Sequence, residues 1–155
     1  MSIESKINNI LDCNIVTQVV IKHSPIQIYK ILTDKEDTFL VKYQEKPNKN
    51  FINQTIELDL LRDYVHTPEV IWVSEQYQVL EWIEEKKQKN YQIQIGYALA
   101  NLHRRTHSTF GFDFNNTIGE MPQFNAINTD MISWKEFYWQ HRLKYQIEYA
   151  YNSNL

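Results

Sequence analysis

A chain of 155 residues, 43% hydrophobic and 23% charged, is the size of one ordinary packed domain. Its 14% aromatic content and net charge of -3 exclude a disordered chain, and 16 basic against 19 acidic residues leave no electrostatic footprint for nucleic acid. No apolar run approaches the ~18 residues of a membrane span, and the opening residues, with Glu4 and Lys6 among them, lack the apolar stretch of a secretory signal. The lone cysteine, Cys13, has no internal partner, which fits a reducing cytoplasm. Only three glycines occur, so a glycine-rich phosphate loop starts at a disadvantage.

The chain opens with a short helical pattern, Ile3, Ile7, Ile10 and Leu11 sharing one face. Three β-type runs follow: Val16 to Lys22, Ile26 to Leu32 after the Ser24-Pro25 break, and Thr38 to Tyr43 after a polar turn. Their short connections predict an antiparallel meander. A helix is expected from about Asn50, with Phe51, Gln54, Leu58, Leu61 and Val65 on one face and Pro68 as its stop. Glu69 to Ser74 and Gln78 to Ile83 read as two more strands about a turn at Glu75-Gln76. A charged connection leads to a helix over residues 91–105, then to a loop over 108–130 with room for a short hairpin. A long aromatic helix over 131–152 closes the chain, with Trp134, Phe137, Tyr138, His141 and Tyr145 on one face. Strands first and helices afterwards predict an α+β fold.

Lys42, in the third strand, is the first chemical candidate. A strand lysine facing a carboxylate on the next helix is an arrangement that holds nucleotide phosphates, and the helix offers Gln54 on its apolar face and Glu57 nearer its rim. The plain alternative is a lysine in solvent on a half-buried strand. Leu40 and Lys42 share one side of that strand, and Phe39, Val41 and Tyr43 share the other. The end of the fifth strand, Glu81-Trp82-Ile83, is the second candidate. A strand end offers backbone groups that can meet a purine edge, here the Glu81 carbonyl and the Ile83 N–H; an ordinary strand end is the alternative. His103 and His107 stand four apart without a third ligand nearby, which argues against a metal. Cys13 reads as a small buried residue.

One segment is more specific. Phe110-Gly111-Phe112-Asp113, then Ile118-Gly119, Pro122-Gln123 and Asn125, then Trp134, Phe137-Tyr138, Arg142-Leu143 and Gln146-Ile147 occur in the order and spacing of the fructosamine/ketosamine-3-kinase family, which the chain resembles. Ala98 to His103 is similar to that family's A-x-L-H helix, while Phe39 to Lys42 and Val79 to Glu84 look like its strand-three lysine and its hinge. The resemblance covers most of the chain, strongly over 95–150 and weakly over 1–60. It implies a protein-kinase-like N-lobe, an antiparallel five-stranded sheet plus one helix, over 1–86 with a hinge near 79–86. A partial helical C-lobe would follow over 87–155. It further implies ATP and Mg2+ as cofactors and a ketosamine or glycated protein as substrate. Lys42 would hold phosphates, helped by Gln54 and Glu57, and Glu81, Trp82 and Ile83 would meet adenine. The loop from Phe110 to Asn125 would lie toward the sugar.

Three departures from the family pattern stand out. The first turn carries Ser24, Pro25 and Gln27 where the family has glycines. The helix glutamate of the family falls on Gln54. The catalytic H-G-D segment is absent from the 155 residues, so the chain reads as truncated and inactive alone. A non-catalytic nucleotide- or partner-binding relic of the same fold is the other reading. The aromatic last helix, lacking its family partners, is expected to drive self-association.

Overall fold

In the computed structural model, which describes residues 3–86, 89–119, 121–125 and 133–153, the chain forms two compact units, Met1–Leu102 and His103–Leu155. In the first, helix α1 (Ile3–Leu11) leads into strands β1 (Ile15–Lys22), β2 (Gln27–Thr33) and β3 (Thr38–Tyr43). Helix α2 (Asn50–Leu61) follows, then β4 (Val70–Val73), β5 (Tyr77–Glu81) and helix α3 (Tyr91–His103). The five strands make one antiparallel sheet in the order β1-β2-β3-β5-β4. The α+β fold with a five-stranded antiparallel sheet is therefore present.

The two sides of this sheet differ in chemistry. On one side Tyr29 and Ile31 of β2, Val41 of β3 and Tyr77 and Val79 of β5 are buried with Ile7 of α1. This is the main core of the unit, and each such side chain contributes roughly 1.5–3 kcal/mol by leaving water. Side chains alternate along a strand, so Ile28, Lys42 and Gln78, which are opposed to one another across β2, β3 and β5, fall on the other side. There α2 supplies Phe51, which is completely buried, while its Ile52, Ile56 and Leu60 remain partly in solvent. The helix thus has a narrow apolar footing and relies on polar contacts to hold its place.

Helix α2 ends at Leu61, well before Pro68. Its last turn tightens into bonds from the Arg62 N–H to the Asp59 carbonyl and from the Tyr64 N–H to the Leu61 carbonyl. Three-residue bonds of this kind close a helix without any breaker. Val65 therefore lies beyond the helix rather than on its face. Strand β1, at the sheet edge, has nearly every side chain exposed.

In the second unit, β6 (Asn116–Ile118) and β7 (Met121–Gln123) pair as a small hairpin. The closing helix consists of α4 (Trp134–Tyr138), one π-turn (Trp139–Leu143) and α5 (Lys144–Asn152). Ser133 caps α4, its hydroxyl accepting from the Glu136 N–H at 3.2 Å, which is the usual pairing of a capping serine with a glutamate three residues on. The expected continuous helix is thus interrupted by a π-turn, and its first residues, 131 and 132, lie outside the described ones, as do 126–130 of the preceding loop and 87–88 of the charged connection.

Candidate functional site

The pattern of β3, T-F-L-V-K-Y, sends Val41 into the main core and Lys42 to the opposite side, toward α2. There Lys42 donates to Gln54 Oε1 at 3.2 Å. Burial lowers the proton affinity of the ammonium below that of an ordinary lysine, and the Glu57 carboxylate pulls it partly back. Lys42, Gln54 and Glu57 are therefore brought together, with the amide as the hydrogen-bond partner and the carboxylate acting as the more distant charge. The ammonium has three donors, so beside its bond to the amide it can still donate to an anion such as a phosphate.

Glu81 ends β5. Its N–H donates to the Glu69 carbonyl at 2.9 Å and its carboxylate accepts from the Glu69 N–H at 3.1 Å. The side chain is thereby tied back toward β4, beside an open pocket of about 290 Å³ that is also lined by Arg62, His66 and Thr67. Whatever Glu81 offers a ligand at the strand end comes from its backbone. Trp82 and Ile83 follow outside regular structure, and Ile83 is exposed. Two residues not singled out in the sequence join them. Lys30 of β2 lies over the Trp82 ring at 4.2 Å and pairs with Glu84 at 3.0 Å, and the indole N–H donates to the same Glu84 carboxylate at 2.7 Å. Those hydrogen bonds and the Lys30 charge hold the Glu84 carboxyl below its usual range. The cluster fixes the indole plane beside the strand end, and an aromatic face so fixed is a platform on which a planar base can stack. The turn between β1 and β2 carries Ser24-Pro25 and has no glycine.

A third polar side chain completes the face around Lys42. Gln78 of β5, fully buried, donates through Nε2 to the Phe51 carbonyl and to Thr55 Oγ1, both at 3.3 Å. Strand alternation read alone would have left it in solvent.

The sequence motifs of the second unit meet at one point. Asn125, almost fully buried, accepts from Arg142 Nη2 at 2.7 Å, and its N–H donates to Asn115 Oδ1 at 2.8 Å. Its amide nitrogen donates to the Phe114 carbonyl and to Asn116 Oδ1. Arg142 Nη1 also donates to the Phe124 carbonyl. Gly111 sits against Asn125 with φ +82°, and a Cβ there would lie 2.3 Å from Asn125 Oδ1. The P-Q-x-N and F-Y-x-x-x-R elements thus meet in one hydrogen-bonded node against which Gly111 of F-G-F-D packs, and this arrangement accounts for Gly111, Asn125 and Arg142 as structural residues.

The remaining candidates are quiet. His107 Nδ1 pairs with Thr109 Oγ1 at 2.9 Å, and His103 is the last residue of α3. Among the described residues no group of three His, Cys, Asp or Glu side chains is placed to hold a metal ion. Cys13 is only half-buried rather than enclosed, and its partial desolvation, with Asp34 nearby, pushes the thiol up and away from the nucleophilic thiolate.

Comparison with known proteins bears on the whole chain. The sequence model of the fructosamine kinase family matches residues 3–155. The chain is 33% identical over 133 residues to a "probable ketoamine kinase" of Enterococcus faecium, covering 83% of this chain and 46% of that protein. It is 38% identical over 76 residues to the chloroplastic protein-ribulosamine 3-kinase of Arabidopsis thaliana, covering 48% of this chain and 22% of that one. A solved structure of a candidate fructosamine-3-kinase from Thermobifida fusca superposes with a TM-score of 0.74 at 21% identity, covering 99% of this chain and 56% of that one. The chain spans about half the length or less of the curated relatives it matches.

Proposed function

This chain belongs to the fructosamine kinase family, and on that premise we propose that it is the nucleotide-holding part of an ATP-dependent ketoamine kinase. The observation that carries this reading is Lys42: a desolvated cation on a central strand, hydrogen-bonded to the amide of Gln54, with the Glu57 carboxylate as the charge acting on it. Lys42 would meet the phosphates, steadied by Gln54 and by the field of Glu57. The backbone of Glu81 to Ile83 and the Trp82 ring would meet adenine. Residues 79–86 would be the hinge between a lobe over 1–86 and the helical part over 87–155. The substrate would be a ketoamine, free or on a glycated protein. Magnesium would accompany the nucleotide, and no cluster among the described residues fits it, so no step is assigned to the ion. Cytoplasmic location is part of the same reading. Among the described residues no helix is long and apolar enough to cross a membrane.

A thermal-shift titration with ATP and Mg2+ tests the assignment. Stabilisation that grows with nucleotide concentration supports it. No shift favours the second reading, a relic that binds a partner instead, which draws on Gln54 and on the glycine-free first turn. Since the sequence holds no H-G-D segment, the 155 residues by themselves should give no turnover above background in a coupled ATP-consumption assay with a fructosamine or ribulosamine. Sustained turnover would show that a base has been overlooked.

Two further outcomes follow from the site. Gln54→Glu should tighten ATP binding by about 1–2 kcal/mol, roughly tenfold, because an ion pair with a carboxylate orders the lysine better than its bond to an amide. If that variant binds as wild type while Glu57→Gln abolishes binding, Glu57 is the working partner. The closing helix leaves Trp134, Trp139, Ile147 and Tyr151 exposed, and α3 exposes Tyr91, Ile93, Ile95 and Tyr97. Concentrated solutions of the 155-residue chain should therefore contain self-associated species. A single monomeric species in light scattering at high concentration counts against this.

A further inference from the structure

Gln78 is fully buried, yet its Oε1 has no hydrogen-bond partner. Turning the amide round does not cure this, because the Phe51 carbonyl needs Nε2 facing it. A buried acceptor left unpaired is costly, so a donor that can come to it is worth finding. Val73, opposed to Gln78 on β4, has none to give. Gln44, just past the end of β3, spends its amide nitrogen on the Asn48 and Glu75 carbonyls. Directly opposite Gln78 on β3 stands Lys42. Opposed residues of an antiparallel pair have Cβ atoms about 4.5–5.5 Å apart, within the span of a lysine stem, and the ammonium has three donors.

We propose that Gln78 is a positioning residue for Lys42. Through Nε2 it moors α2, and with it Gln54, to the middle of the sheet, and through Oε1 it offers the ammonium a second seat. The lysine is then held between two amides from two different elements. Each fixes its direction and neither neutralises it. The charged group that faces it is Glu57, from α2. The inference rests on the nucleotide reading for its use, and its geometry stands without it.

The test is the pH profile of Lys42 acylation by acetic anhydride in the 155-residue chain, read at that residue by mass spectrometry. With Gln78→Leu the ammonium loses an acceptor, so the profile should move to lower pH and the rate at pH 8 should rise at least threefold. With Gln78→Glu, which has the same shape, a carboxylate joins the lysine and the profile should move to higher pH, slowing the reaction at pH 8 by a similar factor. Profiles that coincide with wild type in the folded variants, even with lowered stability, overturn the proposal and leave Gln78 a packing residue. Should the leucine variant not fold, the glutamate variant decides alone. In parallel, Gln78→Leu should weaken ATP binding and leave adenosine binding unchanged, since adenosine has no phosphates for Lys42. Equal losses for both would also count against a role through the lysine. If wild type binds neither, the nucleotide reading fails while the acylation profile still decides the role of Gln78.

Discussion

Lys42→Met should raise the stability of the unit that contains it and at the same time remove its response to ATP. Methionine keeps the length of the stem and discards a charge that the fold desolvates without giving it a bonded carboxylate. Removing a charge that the fold desolvates outweighs the one hydrogen bond that Gln54 then loses, and a gain of about 1 kcal/mol is expected. That is several degrees in melting temperature for a unit of this size. The sign can be checked against pH. The folded state lowers the proton affinity of Lys42 from the ordinary lysine value of 10.5, so the unfolded chain binds more protons between the lowered value and 10.5. Wild type therefore gains stability as pH rises through that window, and the advantage of the methionine variant should shrink there. The loss of ATP affinity should reach about 3 kcal/mol, roughly a hundredfold, the scale of charged hydrogen bonds to phosphate. A variant that is less stable than wild type at pH 7 would mean that the ammonium is better solvated than its surroundings indicate.

The second large effect is expected at Gly111. Its backbone is left-handed, and a Cβ would stand 2.3 Å from Asn125 Oδ1 and 2.9 Å from Cγ. Asn125 has no room to retreat, being bonded to Asn115, Phe114, Asn116 and Arg142. Gly111→Ala should cost about 2.5–5 kcal/mol: ~1–2 for the left-handed backbone and ~1.5–3 for the displaced bond to the guanidinium. Hydrogen exchange should show residues 110–118 and 137–145 losing protection. Gly119→Ala provides the control. That glycine is also left-handed, with φ +62°, but no atom lies within 4 Å of its added Cβ, so only the backbone part of the cost applies. Equal losses in the two variants would remove the node from the explanation.

Much of this arrangement could be read from residue order. The β-branched and aromatic runs marked all five strands, and the alternation in Phe39 to Tyr43 put Lys42 on the side of the sheet opposite Val41. The side that carries the main core was not legible, because Ile28 and Leu32 read as plausibly apolar as Tyr29 and Ile31; the choice is made by α1, which brings Ile7 onto the latter pair. Gln78 was missed for a related reason. Its burial depends on α2 arriving over a face that contains a lysine, and nothing local to the strand announces it. The premature end of α2 was hidden by Pro68, a strong stop placed seven residues too late. One overlooked signal was available: Ser133 and Glu136 form a capping pair that marks where the last helix begins.

The π-turn in that helix changes how its sequence should be counted. Arg142 lies 4.7 Å over the ring of Phe137, five residues earlier, a separation that an α-helix would place on diverging faces. One extra residue in the turn swings everything after it by about 100°, and this delivers the guanidinium to Asn125. In the geometry of the helix the π-turn acts as one extra residue within a single turn. A relative with a regular α-helix here would carry the equivalent arginine one position earlier, and an ungapped alignment would set it against His141. Comparisons that force the two helices into step would score the arginine as lost when only its address has moved.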